Sequence, residues 1–186
     1  MEATTTNTPQ DIILRYGILG GLISIIYGML SNLLGLSNPG SGMGMVALGT
    51  IISLGIYAGF LVVAVKKHRE EDLKGYITFK RAFSVAFFTA LIMGIMSSLF
   101  QMIYINFIDP SFIDSALEYS REIMENMGLN EEQMEEAMAR SRDAYKPVRF
   151  LISAIIGTSF LGALTSLVVA GVLNRKAPEG FADNEL

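Results

Sequence analysis

Apolar positions along this chain fill four long blocks, residues 12–36, 43–65, 82–108 and 148–173. The blocks are 25, 23, 27 and 26 residues long, and about 20 predominantly apolar residues suffice to cross a bilayer as a helix. Their only charges are Arg15 and Arg149, each near an end of its block. The pattern predicts an all-α fold: one integral membrane domain over residues 1–186, built as a four-helix bundle. The third block exceeds a hydrocarbon core of roughly 30 Å at about 1.5 Å per residue, so that helix must tilt or protrude. A cleaved signal peptide is the competing reading of the first block. It fails because the block is too long, and because Glu2 and Asp11 stand where a basic leader is expected.

The polar stretches between blocks carry start and stop signals. Thr8-Pro9-Gln10-Asp11 reads as a helix start, and residues 37–42 read as a turn. In the loop 66–81, Lys66/Glu70 and Lys67/Glu71 are spaced i, i+4, so the second helix is expected to continue towards a stop at Gly75. Residues 109–147 form the one long polar segment between apolar blocks. Asp109-Pro110 restarts the chain there, with Asp109 as cap and Pro110 as first helical residue. A short helix follows from Ser111 to Met127 and ends at Gly128. A second begins at Asn130, where Asn130-Glu131-Glu132-Gln133 fits a variant capping box, and ends before Pro147. Ile113, Leu117, Met124 and Met127 share a face of the first, and Met134, Met138 and Tyr145 share a face of the second. The economical expectation is an acidic helical hairpin with a methionine-lined seam.

Charge orients this picture. The chain carries −4 overall, while residues 109–147 hold ten acids and four bases. With four spans both termini share a side. On that side lie Arg15, Lys66, Lys67, Arg69, Lys74, Lys80, Arg81, Arg175 and Lys176, against Arg121, Arg140, Arg142, Lys146 and Arg149 on the other. Excess cations mark the cytoplasmic side. The expected orientation therefore has both termini cytoplasmic, Lys66, Lys67 and Arg69 setting topology, and the hairpin outside.

Small residues suggest how the helices pack. Gly17, Gly21, Ser24, Gly28, Ser31 and Gly35 fall on one face of the first span, and Gly55-x-x-x-Gly59 repeats the idea in the second. Ala86, Ala90, Gly94 and Ser97 do so in the third, and Ser159, Ala163, Ser166 and Ala170 in the fourth. Such stripes let backbones approach closely in lipid. They serve intramolecular packing first and a homo-oligomer face second.

Candidate chemistry is sparse. The chain has no cysteine and one histidine, which excludes disulfides, thiolate metal sites, thiol catalysis and a histidine-rich metal site within one chain. No basic stripe suits nucleic acid, and no nucleotide, hydrolase or zinc-protease motif occurs. No ionisable residue lies mid-span, where one would flag a proton or ion path. Asn32 and Gln101 are assigned to interhelical hydrogen bonding. Met124, Met127, Met134 and Met138 could attract a soft metal, but hairpin core is the plainer role. The hairpin glutamates lack calcium-loop spacing and read as a solvated face. His68 reads as a solvated side chain. Lys66, Lys67 and Arg69 could draw anionic lipid heads, although topology alone accounts for them. No catalytic, cofactor or metal residue is assigned.

Arg15-Tyr16-Gly17, the segment from Lys67 through Gly75-Tyr76-Ile77-Thr78-Phe79, Asp109-Pro110-Ser111-Phe112-Ile113 and Gly128-Leu129-Asn130-Glu131-Glu132-Gln133 stand at the expected places between spans. With them the chain resembles the domain of unknown function 4199 family of bacterial membrane proteins. The resemblance implies a four-helix integral membrane protein, which with the expected orientation places it in a bacterial inner membrane, and it transfers no activity or functional residue. The expectation is a non-enzymatic scaffold or accessory protein. It would act through the hairpin, with the lipid bilayer and a membrane or periplasmic protein as partners. The alternative is an oligomeric channel or small-solute transporter.

Overall fold

The computed structural model describes residues 8–37 and 41–176; residues 38–40 of the expected turn and the end of the C-terminal tail lie outside the described residues. Six helices follow in order: α1 (Pro9–Leu33), α2 (Met43–Lys67), α3 (Phe79–Ile103), α4 (Ser111–Asn126), α5 (Glu131–Ala144) and α6 (Pro147–Leu173). Among the described residues there is no strand, only an isolated antiparallel bridge between Ile77 and Arg175. α1, α2, α3 and α6 are each long and apolar enough to cross a membrane.

The boundaries follow local chemistry. Pro9 and Pro147 occupy the first turn of their helices, where a missing N–H costs nothing. The Asp11 carboxylate accepts hydrogen bonds from the Thr8 amide and hydroxyl, at 2.9 and 2.8 Å. α2 does not stop at the basic run but widens into a π-helical turn, His68–Asp72. The reversal comes at Lys74 and Gly75, with φ of 51° and 92°, and the Gly75 amide donates back to the Arg69 carbonyl at 2.8 Å. α3 widens in the same way over Tyr104–Ile108. α4 begins at Ser111 as expected, but Pro110 rather than Asp109 is at the cap position. Asn130 caps α5 as its sequence predicts: Gln133 N donates to Asn130 Oδ1 at 2.8 Å, and the Asn130 amide donates to the Gln133 side chain at 3.2 Å.

α3 is the central helix and packs against α6, α1 and α2. In its most apolar stretch 39% of residues are buried, against 11% for α2, so α2 is the peripheral span. The core runs along α3 through Ala82, Val85, Ala86, Ala90 and Met93, and meets Leu61 and Ala64 of α2 and Val169 and Ala170 of α6. Contact is closest where a glycine replaces a side chain. A Cβ at Gly17 would lie 2.8 Å from Ile92 Cβ, one at Gly21 2.9 Å from Met96 Sδ, and one at Gly94 2.7 Å from Thr158 Oγ1. Gly162 admits Tyr57, whose hydroxyl would sit 2.9 Å from an added Cβ and lies 3.5 Å from the Ala90 carbonyl.

The small-residue stripes are used unevenly. Ser31 is buried and its hydroxyl is 2.6 Å from that of Ser37, Ser24 is half-buried, and Gly35 serves a turn with φ 72°. Gly28, Gly55 and Gly59 meet nothing within 4 Å, so the Gly-x-x-x-Gly pair of α2 faces away from the bundle. Asn32 and Gln101 make no interhelical hydrogen bond among the described residues, which corrects their expected role. Tyr27 instead links α1 to α2, donating to the Gly49 carbonyl at 2.7 Å.

Gly94→Val places branched carbons against a β-branched threonine that cannot swing away, and overpacking of this kind costs about 1–3 kcal/mol. Gly55→Ala adds a methyl in open space and removes a helix-interior glycine, for a gain of up to about 1 kcal/mol. Thermal unfolding in detergent, followed by circular dichroism, should show a lower midpoint for the first variant and an unchanged or higher one for the second.

Candidate functional site

Two regions carry polar groups with more than a solvated role: the α4–α5 hairpin, and a cluster at the opposite end of the bundle around the loop between α2 and α3.

At the loop end the π turn directs His68 inwards. It is fully buried, which corrects its expected place in solvent. Its Nδ1 lies 2.8 Å from Asp72 Oδ2, and Arg81 Nε donates to its Nε2 at 3.0 Å. A guanidinium can only donate, so Nε2 is the bare acceptor and Nδ1 carries the proton given to Asp72. His68 lies beyond the apolar run that ends at Val65, in the charged stretch of residues 66–72. Burial pushes its imidazole below the ordinary value of 6.5; the Asp72 hydrogen bond opposes that shift and the Arg81 charge adds to it.

Arg69 is drawn into the same cluster. One of its terminal nitrogens donates to the Leu173 carbonyl at 3.3 Å, satisfying the C-terminus of α6 with a cation as the helix dipole favours. The other pairs with Glu70 at 3.0 Å. The expected Lys66–Glu70 pair is thus replaced by Arg69–Glu70, while Lys67–Glu71 forms at 2.6 Å. The backbone bridge between Ile77 and Arg175, at 3.0 and 2.9 Å, and the Arg175 guanidinium over the Tyr76 ring at 5.8 Å tie the end of α6 to this loop. The i, i+4 spacing of His68 and Asp72 was the available sequence signal. A single histidine amid Lys66, Lys67, Arg69, Glu70 and Glu71 looks like part of a solvated face, which hides that signal.

At the other end α4 and α5 pack on one another. Leu117 is the one buried residue of α4, and α5 has none. Met124, Met134 and Met138 are half-buried, as a seam requires. Met127 is 72% exposed and lies outside it, because α4 ends there and the chain turns through Gly128 at φ 74°. Tyr119 and Ile123 are exposed beside it, so the broad apolar face of α4 is covered only in part. Between the helices lies a groove of about 930 Å³, with Met134 and Met138 flanked by Arg121, Glu125, Glu131, Glu135 and Arg142. Arg121 bonds Glu125 at 3.0 Å, Arg140 bonds Glu136, and Asp143 takes both Lys146 and Arg149. Tyr145 stacks on Phe150, with centroids 6.3 Å apart, at the joint with α6. No group of three or more His, Cys, Asp or Glu side chains that could hold a metal ion occurs among the described residues.

Four long apolar helices around a glycine-tight core, closed at one end by a buried polar cluster and bearing a charged hairpin at the other, define a four-span helical membrane protein. The family model described as "Protein of unknown function (DUF4199)" matches residues 15–175, and the chain belongs to that family. No curated protein and no solved structure matches the chain.

The neutral tautomer of His68 fixes the sign of a pH effect. A histidine whose folded pKa lies below its unfolded one stabilises fully above the unfolded value, and that stability is lost as pH falls through the folded one. The unfolding midpoint should hold between pH 8 and 7, then fall below about pH 6.5, and His68→Gln should flatten the fall between pH 6.5 and 5. His68→Ala, which leaves a cavity and removes the hydrogen bonds to Asp72 and from Arg81, should cost about 2–4 kcal/mol at pH 7.5. Thermal unfolding of the two variants beside the parent checks both.

Proposed function

We propose that this protein is a non-enzymatic membrane scaffold or accessory subunit that docks a partner protein through the α4–α5 hairpin. The observation that carries the reading is the half-covered apolar face of α4, where Tyr119, Ile123 and Met127 are exposed beside a charged groove floored by methionines. Exposed aromatic and aliphatic groups within a polar rim are the usual anatomy of a docking patch. Methionine side chains adapt to a partner's shape at little cost. The cation asymmetry supports placing the hairpin on the outer side of a bacterial inner membrane with both termini cytoplasmic. In this proposal the partner is a membrane or periplasmic protein, and neither cofactor nor metal takes part.

A second reading, an oligomeric channel or small-solute transporter, draws on a different observation. Gly55 and Gly59 meet nothing in the chain, which leaves a close-packing face on α2 for a second copy. Flux of ions or small solutes in reconstituted liposomes would move the weight to it.

Replacing residues 111–146 with a short Gly-Ser linker should abolish stoichiometric co-purification of a second protein in mild detergent. Ile123→Asp/Met127→Asp should weaken it at least tenfold while leaving the thermal midpoint within a few degrees. If both variants keep the parent's full set of co-purifying proteins, the hairpin is not the docking element.

A further inference from the structure

If the hairpin docks a partner, as proposed above, the groove between α4 and α5 defines the kind of segment it receives. Along α5 the groove is walled by Glu131, Glu135, Met138 and Arg142. Their spacing of four, three and four residues puts them in one stripe down the helix. From Glu131 to Arg142 the stripe runs about 17 Å, about three turns at about 1.5 Å per residue. Arg121 and Glu125, one turn apart, make the facing wall on α4. The groove of about 930 Å³ is therefore a trough along the two helices.

The form of the occupant follows from what these walls offer. Over their middle turns α4 and α5 spend their backbone groups within their own helices. Among the described residues there is no strand whose edge could pair with an extended peptide. Recognition falls to side chains, as when an amphipathic helix lies in a groove between two others. Met134 and Met138, half-buried and one turn apart, form the apolar floor. Thioether chains reshape readily around apolar groups laid over them.

Charge selects which helix fits. Arg121 meets Glu125 at 3.0 Å. Glu131 and Glu135 have no cationic partner among the described residues, and Arg142 has no carboxylate. The α5 dipole favours an acid in the first turn and a base in the last, which suits Glu131 and Arg142 to their ends of the helix. It does not account for Glu135, one turn further in, and it leaves all three without a side-chain partner. Residues 109–147 carry ten acids against four bases, so a second hairpin would bring like charge to like charge, which interfaces disfavour. An anionic membrane surface is disfavoured on the same ground.

We infer that the groove receives a cationic amphipathic helix of the partner protein, about three turns long. It lays apolar side chains one turn apart over Met134 and Met138, sets lysine or arginine against Glu131 and Glu135, and brings a carboxylate to Arg142.

The test puts a photo-crosslinking benzoylphenylalanine in place of Ala139, which lines the groove and is exposed. A second version carries it in place of Ile123, on the exposed apolar face of α4. Both are full chains in the native membrane, and the crosslinked peptides are sequenced by mass spectrometry. From position 139 the expected product is one segment of another protein, with apolar residues at i, i+4 and a net positive charge. Glu131→Lys/Glu135→Lys should cut its yield about fivefold, and exchanging the facing cations of that segment for glutamate should restore it. Glu118→Gln/Glu122→Gln, at acids outside the groove, should leave the yield unchanged. Should the double reversal loosen the hairpin, Glu135→Gln alone should still lower the yield, and added salt should lower that of the parent. A neutral or acidic segment at position 139, a second copy of this chain there, or a yield that the groove variants leave unchanged overturns the inference. Crosslinking at position 123 with none at 139 overturns it while leaving docking by the hairpin intact. No crosslink at either position removes both.

Discussion

Close approach of helix backbones at α3 is the constraint on which the rest of the structure depends. In an apolar solvent a leucine gains nothing by leaving lipid for another helix, so packing must come from surfaces that fit closely. α3 meets this by opposing small to large. Gly17 and Gly21 of α1 receive Ile92 and Met96, and Gly94 of α3 receives Thr158 of α6. Gly162 lets Tyr57 cross from α2 towards the Ala90 carbonyl. α1 and α6 are arranged around α3 and hardly touch one another.

The buried polar cluster at the loop end completes that arrangement. One chain reversal and the end of α6 meet there, and helix ends leave carbonyls and amides that must find partners. Arg69 serves the end of α6, the bridge of Ile77 with Arg175 pairs two further backbone groups, and Asp72 and Arg81 together satisfy both nitrogens of His68. Widening of α2 into a π turn lets one segment turn His68 inwards while Lys66 and Lys67 stay at the surface. A neutral imidazole between an acid and a base is a low-cost way to bury polar groups, since it bridges both charges without adding one of its own.

The hairpin is built differently. Local signals make it: the Asn130 capping box, the left-handed Gly128, and ion pairs within and between turns. Little of it is buried. Exposed apolar groups on α4 therefore stand on a module whose own fold makes few demands on them, while its carboxylates neutralise the cations nearest the start of α6.

The amino-acid sequence by itself determined the number of spans, their near boundaries, the two short helices and the charge asymmetry between the ends. Each of these depends on runs, caps and turns within a few residues of one another, and local free energies of that kind can be read from order alone. The tertiary structure alone decided which small residues become contacts. Gly17, Gly55 and Gly59 carry the same local signal, yet only Gly17 meets a neighbour, because helix rotation and neighbour choice are set by all four spans together. It likewise decided that His68 is buried, that Glu70 takes Arg69 rather than Lys66, and that Met127 falls outside the seam. A histidine in a charged run looks solvated until the far end of the chain, at Leu173 and Arg175, closes over its loop.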